Sequence, residues 1–307
     1  MAHKFCMVLL ALITAGAIVI SVPKSTAGPA ASPVDKAQED LPRFFYPSQA
    51  GIKWKPHFIM PQESLERLFG GDWIHVARFN RIDRRHVYPG MTIKKPENME
   101  DIRDYCPLPL RYEPAAKHFK YVLVDVREQW LGAYEYGELK FSTPAATGVD
   151  GHLTPLGIFR IDARHQKHTS SLYKTRKGDA QYPMDYAVRF HMDKEHVTYW
   201  IHARDMPGKP VSHGCIGVYD EQMQKRVYGV PAKPVINDAA RLYRWVVDSE
   251  ENEADDGSMM LIADGPKVEI RGELPQYLAG NSPHRDTGFG KIRKATVAWL
   301  GVGEKRQ

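Results

Sequence analysis

One cysteine in this sequence is placed for chemistry. Cys215 follows Ser212, His213 and Gly214 after a loop containing Pro207 and Pro210, and His202 lies thirteen residues earlier. A cysteine attacks a carbonyl carbon as its thiolate, and an ordinary thiol with a pKa of about 8.5 is only a few per cent ionised near neutrality. An imidazole within reach takes the proton, and Gly214 lets backbone N–H groups approach a substrate oxygen. Thirteen residues are too many for neighbours on one element; the spacing suits two strand ends joined by a loop that folds back. A bare Cys/His pair is also what packing and surface residues produce, so the pattern alone leaves both readings open.

The elements around the pair read mainly as β. Phe119 to Val126, Gln129 to Tyr134 and Leu139 to Phe141 form a meander turning at Gly137-Glu138. Gly157 to Ile161, Tyr186 to Phe190 and His196 to Ile201 are further strands, and Pro234 to Ile236 a short one. The polar stretch His165 to Asp179 reads as an exposed loop, and His165 with His168 lacks a third ligand for a metal. Asp220 caps a short helix from Glu221 to Tyr228, and Asp238 starts another through Val246. Met259 to Ile262 and Val268 to Ile270 read as a hairpin turning at Asp264-Gly265, after the acidic link Glu250 to Gly257.

The chain holds 307 residues, 43% hydrophobic and 26% charged, which excludes disordered and collagen-like chains. Three cysteines are too few for a disulfide framework, and Cys106 reads as a buried structural thiol. Lys and Arg number 42 against 37 Asp and Glu, a near-balanced surface with no basic stripe for nucleic acid. Lys4, the apolar run Phe5 to Val22 and the small residues near Ala27 and Ala30 read as an export signal. The competing reading is an uncleaved anchor, the one case in which the chain would touch a membrane. Cleavage after Ala27 would remove Cys6, Lys4 and Lys24 and lower the net charge from +5 to +3. The expected domains are a signal or anchor (1–27), a linker (28–56), a small β-α-α-β unit (57–97), a catalytic unit (115–248) and a tail (249–307). In the small unit, Phe58 to Met60 and Met91 to Lys94 are the strands. Ser64 to Phe69 and a segment capped by Asp72 are the helices.

The small unit, with Phe79-Asn80-Arg81-Ile82-Asp83 and Pro89-Gly90-Met91-Thr92-Ile93, resembles a LysM module, which implies glycan binding. Gln62-Glu63-Ser64 departs from the usual entry to the first helix. The larger unit resembles the L,D-transpeptidases of the YkuD type. Ile201-His202, the loop and Ser212-His213-Gly214-Cys215-Ile216 carry the resemblance, with Thr147-Gly148 and Thr154-Pro155-Leu156-Gly157-Ile158-Phe159 upstream in family order. The resemblance implies a β-sandwich catalytic domain with Cys215 as nucleophile and His202 as general base, its other nitrogen held by a carbonyl near Ala203 or Arg204. His213 and Gly214 would shape the oxyanion site, Ser212 would support the loop, and Tyr186 would line the donor cleft. The family's usual Arg two residues after the Cys is Gly217 here, and Arg204 or Lys209 could substitute. The implied partners are peptidoglycan stem peptides and glycan in the periplasm or cell envelope, with an envelope lipoprotein as the other acyl acceptor. The implied product is a 3→3 crosslink or an anchored protein, and carbapenems would acylate the thiol. No cofactor or metal is expected. The alternatives are a carboxypeptidase or amidase that hydrolyses the same bonds, and a non-catalytic glycan binder.

Overall fold

The computed structural model describes residues 44–175, 178–248 and 257–277. The export signal, the first part of the linker, the acidic link up to Asp256 and the basic tail lie outside the described residues. Fourteen strands are described: β1 (Phe44–Phe45), β2 (Trp54–Phe58), β3 (Thr92–Pro96), β4 (Tyr121–Asp125), β5 (Trp130–Glu135), β6 (Glu138–Ala146), β7 (Gly157–Arg160), β8 (Ala163–Lys174), β9 (Gln181–Met192), β10 (Thr198–Arg204), β11 (Ile216–Tyr219), β12 (Met260–Leu261), β13 (Lys267–Arg271) and β14 (Gln276–Tyr277). Five short α-helices accompany them: α1 (Leu65–Phe69), α2 (Trp73–Asn80), α3 (Glu100–Arg103), α4 (Glu221–Tyr228) and α5 (Asp238–Val247).

Ten strands form one mixed sheet in the order β12-β8-β9-β10-β11-β6-β5-β4-β13-β7. The meander β4-β5-β6 is present as the sequence indicated, and Tyr136 and Gly137 take the left-handed backbone that its tight turn needs. Val122 and Val124 of β4, Val188 and Phe190 of β9 and Val268 of β13 all enter one core with Leu242 and Val246 of α5. Four strands lie between β9 and β4 in the sheet, so sharing a core requires the sheet to curl until its two halves face each other. The fold is mainly β, with one large mixed sheet whose two halves enclose the core.

Three expectations are corrected. Residues 163–174 are not a loop but strand β8, paired with β9. Its polarity hides it, because part of it faces an aqueous cavity and shows no apolar alternation. The stretches at 259–262 and 268–270 do not pair with each other. β12 adds to β8, while β13 runs parallel to β4 and antiparallel to β7. Pro234 to Ile236 form no strand, because the amides of Val235 and Ile236 go to the buried Glu221 carboxylate.

The β-α-α-β order between residues 54 and 96 is observed, with β2 and β3 antiparallel and Ser64 capping α1. Asp72 makes no side-chain cap at α2. This unit is not hung on a tether. Ile59, Val76, Phe79 and Ile93 share a core with Ala146, Met206 and Tyr219. Four arginines between 78 and 85 pair across the junction: Arg78 with Asp238, Arg81 with Glu128, Arg84 with Glu221 and Arg85 with Asp205. These arginines are thus paired with carboxylates of the larger unit. Arg81 is wholly enclosed, its guanidinium over the Tyr46 ring at 3.8 Å, close enough for a cation–π contact. Among the described residues no helix is long and apolar enough to cross a membrane.

Candidate active site

β10 and β11 are parallel neighbours, with His202 opposite Gly217 and Arg204 opposite Tyr219. The loop joining them carries Cys215 back to the residue just before β11, two positions from the register of His202. His202 and Cys215 line one cavity of about 400 Å³, together with Trp200, Arg204, His168 and Tyr182. The His202 ring is 2% exposed, and its Nδ1 lies 2.8 Å from the Ala203 carbonyl oxygen. A carbonyl only accepts, so Nδ1 carries the hydrogen and Nε2 keeps its lone pair. Burial, and then the Arg204 charge, push the His202 pKa down to about 3, since both disfavour the charged ring. Burial pushes the Cys215 thiol up, while the Trp200 backbone amide and Arg204 pull it back. The resting pair is therefore a neutral thiol and a neutral imidazole.

The connecting loop is pinned at both ends. At its start, Ile82 bridges Pro207, and Asp83 exchanges two bonds with Met206: amide to carbonyl oxygen at 2.8 Å, and Met206 amide to Asp83 Oδ2 at 2.5 Å. Tyr46 donates its hydroxyl to the Gly208 carbonyl at 2.9 Å. At its end, the Thr147 carbonyl accepts the amides of Val211 and Ser212, each at 3.1 Å. Gly148 donates to Thr154 Oγ1 at 2.9 Å, so the upstream Thr-Gly and Thr-Pro segments brace the same loop. Ser212 Oγ donates to the Cys215 carbonyl at 2.5 Å and accepts the Gly214 amide at 3.1 Å. Ser212 thus supports the turn.

The Gly214 amide is held within the turn by that bond. Its glycine identity is steric: with φ of 110°, a Cβ would fall 2.7 Å from the Tyr199 ring. Only glycine adopts that backbone without strain. His213 lines the cavity, stacked on Tyr173 at 4.2 Å and tilted against His152 at 4.7 Å. Tyr186 does not line it. Its left-handed backbone, φ 56°, breaks the alternation of β9. Tyr182 and Met184 face the cavity while Tyr186 packs in the core against Tyr243. Lys209 is exposed and outside the cavity.

Arg204 occupies the space that a side chain at 217 would fill. A Cβ on Gly217 would lie 2.4 Å from Arg204 Cδ and 2.7 Å from its Cβ. Gly217 leaves room for this side chain, which belongs to one of the two residues read as substitutes for the family's usual arginine. Gly217→Ala is expected to cost about 1–3 kcal/mol by overpacking. In an Arg204→Gly background, which removes both of these contacts, the same change should cost little, a coupling that thermal melts of the four proteins will read.

Sequence reasoning missed His168, Tyr173, Tyr182 and Trp200. His165-x-x-His168 reads as a solvated loop, yet β8 puts His168 in the cavity, and the only signal was the histidine itself. Cys106 is half-buried, with Sγ 3.6 Å from the Leu108 carbonyl oxygen, and both described cysteines are free thiols. Among the described residues no three His, Cys, Asp or Glu side chains converge on a metal position.

Residues 119–270 match the YkuD family, the L,D-transpeptidase catalytic domain. The match takes in β13, beyond the boundary at 248 read from the sequence. Members of the YkuD family are L,D-transpeptidase enzymes. Among solved structures, the chain is 16% identical to L,D-transpeptidase 1 of Mycobacterium tuberculosis, with a TM-score of 0.32 over 50% of this chain and 62% of that one. It is 20% identical to the L,D-transpeptidase (Yku) of Stackebrandtia nassauensis, with a TM-score of 0.35 over 67% and 69% of the two chains. Against the L,D-transpeptidase of Xylanimonas cellulosilytica the identity is 17% and the TM-score 0.36, over 64% and 79%. The chain thus spans less than two thirds of the first of these proteins. A search of curated proteins found no match.

Proposed function

We propose that the protein is a cysteine-dependent L,D-transpeptidase that acts on peptidoglycan tetrapeptide stems through a thioester acyl-enzyme. One observation carries this reading: a buried imidazole, its Nδ1 fixed on the Ala203 carbonyl, shares a cavity with the Cys215 thiol. His202 Nε2 takes the thiol proton as Sγ attacks the amide between the L-centre of a diamino acid and D-Ala. The Trp200 amide and the Arg204 charge favour the thiolate as it forms. The Cys215 amide, at the turn into β11, donates to the carbonyl oxygen as it becomes an oxyanion. His202 then passes the proton to the departing D-Ala amine, leaving the thioester.

Arg204 is the group suited to the substrate carboxylate, since its Nη2 alone makes a hydrogen bond, at 3.3 Å from the Val211 carbonyl oxygen. The rest of the guanidinium fork matches a carboxylate in shape and charge. The acyl group then goes to the diamino-acid amine of a second stem, giving a 3→3 crosslink. A lysine of an envelope lipoprotein is the other amine acceptor. Export to the envelope and glycan binding by the LysM-like unit at residues 57–97 belong to the same proposal, because holding glycan raises the local concentration of stems.

The test is purified protein with muropeptide tetrapeptides and mass spectrometry of the products. Dimers linked 3→3 support transfer, and tripeptides alone assign hydrolysis. A carbapenem should add its mass to one site, mapped by peptide digestion to Cys215. No adduct, or an adduct elsewhere, would sink the nucleophile.

A further inference from the structure

The mechanism above uses one of the four imidazoles that line the cavity; His168, His196 and His213 are the others. His168, on β8, lies tilted against Trp200 with ring centroids 4.4 Å apart. Its Nδ1 lies 3.0 Å from Nδ1 of His165, and Nε2 of His165 lies 2.7 Å from the Gly257 carbonyl oxygen. That carbonyl can only accept, so His165 carries its hydrogen on Nε2 and, when neutral, offers a lone pair on Nδ1. His168 must then donate from Nδ1, which leaves the Nε2 lone pair on a ring lining the cavity of His202 and Cys215. The arrangement repeats that of His202, with a neighbour fixing the tautomer. Burial, and then His165, hold the His168 pKa down to about 4, so the ring is neutral near pH 7.

Acyl transfer has two half-reactions, and each moves a proton off a different nucleophile. In the first, the Cys215 proton passes through His202 to the leaving amine. In the second, the acceptor nitrogen must lose a proton as it adds. We propose that His168 is the base of the second half-reaction, its Nε2 taking the proton of a primary-amine acceptor as the nitrogen attacks the thioester. The N–C bond forms, the proton passes to Nε2, the C–S bond breaks and its electron pair leaves on Sγ. The imidazolium releases its proton to solvent and Sγ regains one, so amine plus thioester give amide plus thiol. The inference depends on the functional reading above, because it needs the thioester.

His168→Phe keeps a flat ring on Trp200 and removes the lone pair. Single-turnover mass spectrometry of both proteins would follow acyl-enzyme formation from a muropeptide tetrapeptide, and its decay with a second tetrapeptide in excess as amine. Acylation should stay within about twofold, while decay to crosslinked product slows at least about tenfold and acyl-enzyme accumulates. His168→Gln, which accepts a hydrogen bond but holds no proton at this pH, should behave alike if the Phe variant melts early. Unchanged decay, or equal losses in both half-reactions, overturns the inference. So does a wild-type acyl-enzyme that decays only by hydrolysis. Failure of the functional reading looks different: the wild type then forms no acyl-enzyme on Cys215.

Discussion

Replacing His202 with Ala is expected to slow acylation of Cys215 about a thousandfold at pH 7, within the range of a lost general base. The pH profile should change shape as well. In the wild type the imidazole stays neutral down to about pH 3. The thiol, pushed up by burial, stays protonated through neutrality. Neither group titrates between pH 5 and pH 8, so wild-type acylation should be nearly flat there. Without His202 the reaction depends on the thiolate fraction. That fraction grows about tenfold per pH unit below the thiol pKa, and the variant should climb accordingly. Carbapenem acylation, followed by intact mass across this range, reads both curves. A wild-type acid limb near pH 6.5 would mean that the imidazole titrates as if exposed. A variant as flat as the wild type would remove His202 from the proton transfer.

Asp83→Ala is expected to lower the melting temperature on the order of 10 °C and to cut acylation about tenfold well below that temperature. The carboxylate is fully buried and accepts from the Met206 amide at 2.5 Å, Gln224 Nε2 at 3.0 Å and the His86 amide at 2.9 Å. Truncation strands these donors, at about 1–3 kcal/mol for each that water does not reach. A loss of about 3–5 kcal/mol gives a shift of this order for a chain of this size. The kinetic part follows because Met206 begins the loop that returns Cys215 to His202, and small misplacements of reacting groups are costly. Calorimetry and carbapenem acylation of the same preparation separate the two effects. Full activity at a lowered melting point would mean that the loop holds itself. By the same logic, deleting residues 44–97 should leave no soluble catalytic domain, since it uncovers Ala146, Met206 and Tyr219.

The sequence by itself determined the candidate pair Cys215 and His202, the meander, the cap of α4 and the β-α-α-β order of the small unit. These are local properties: a motif of adjacent residues, alternation along a strand, an oxygen three residues before an amide. Only the tertiary structure decided the rest, because each remaining feature depends on partners distant in the chain. β12 and β13 looked like a hairpin, yet they pair with strands about 100 or more residues earlier. The polar face of β8 reads as loop until the sheet places His168 beside His202. The Gly217 departure was visible, but only the packing of β10 beside β11 brings the Arg204 side chain over it. The arginines from 78 to 85 read as scattered charge until folding gives each its carboxylate. A sequence records what a residue can do, whereas burial and register fix which group it meets, and thereby its tautomer, its pKa and its work.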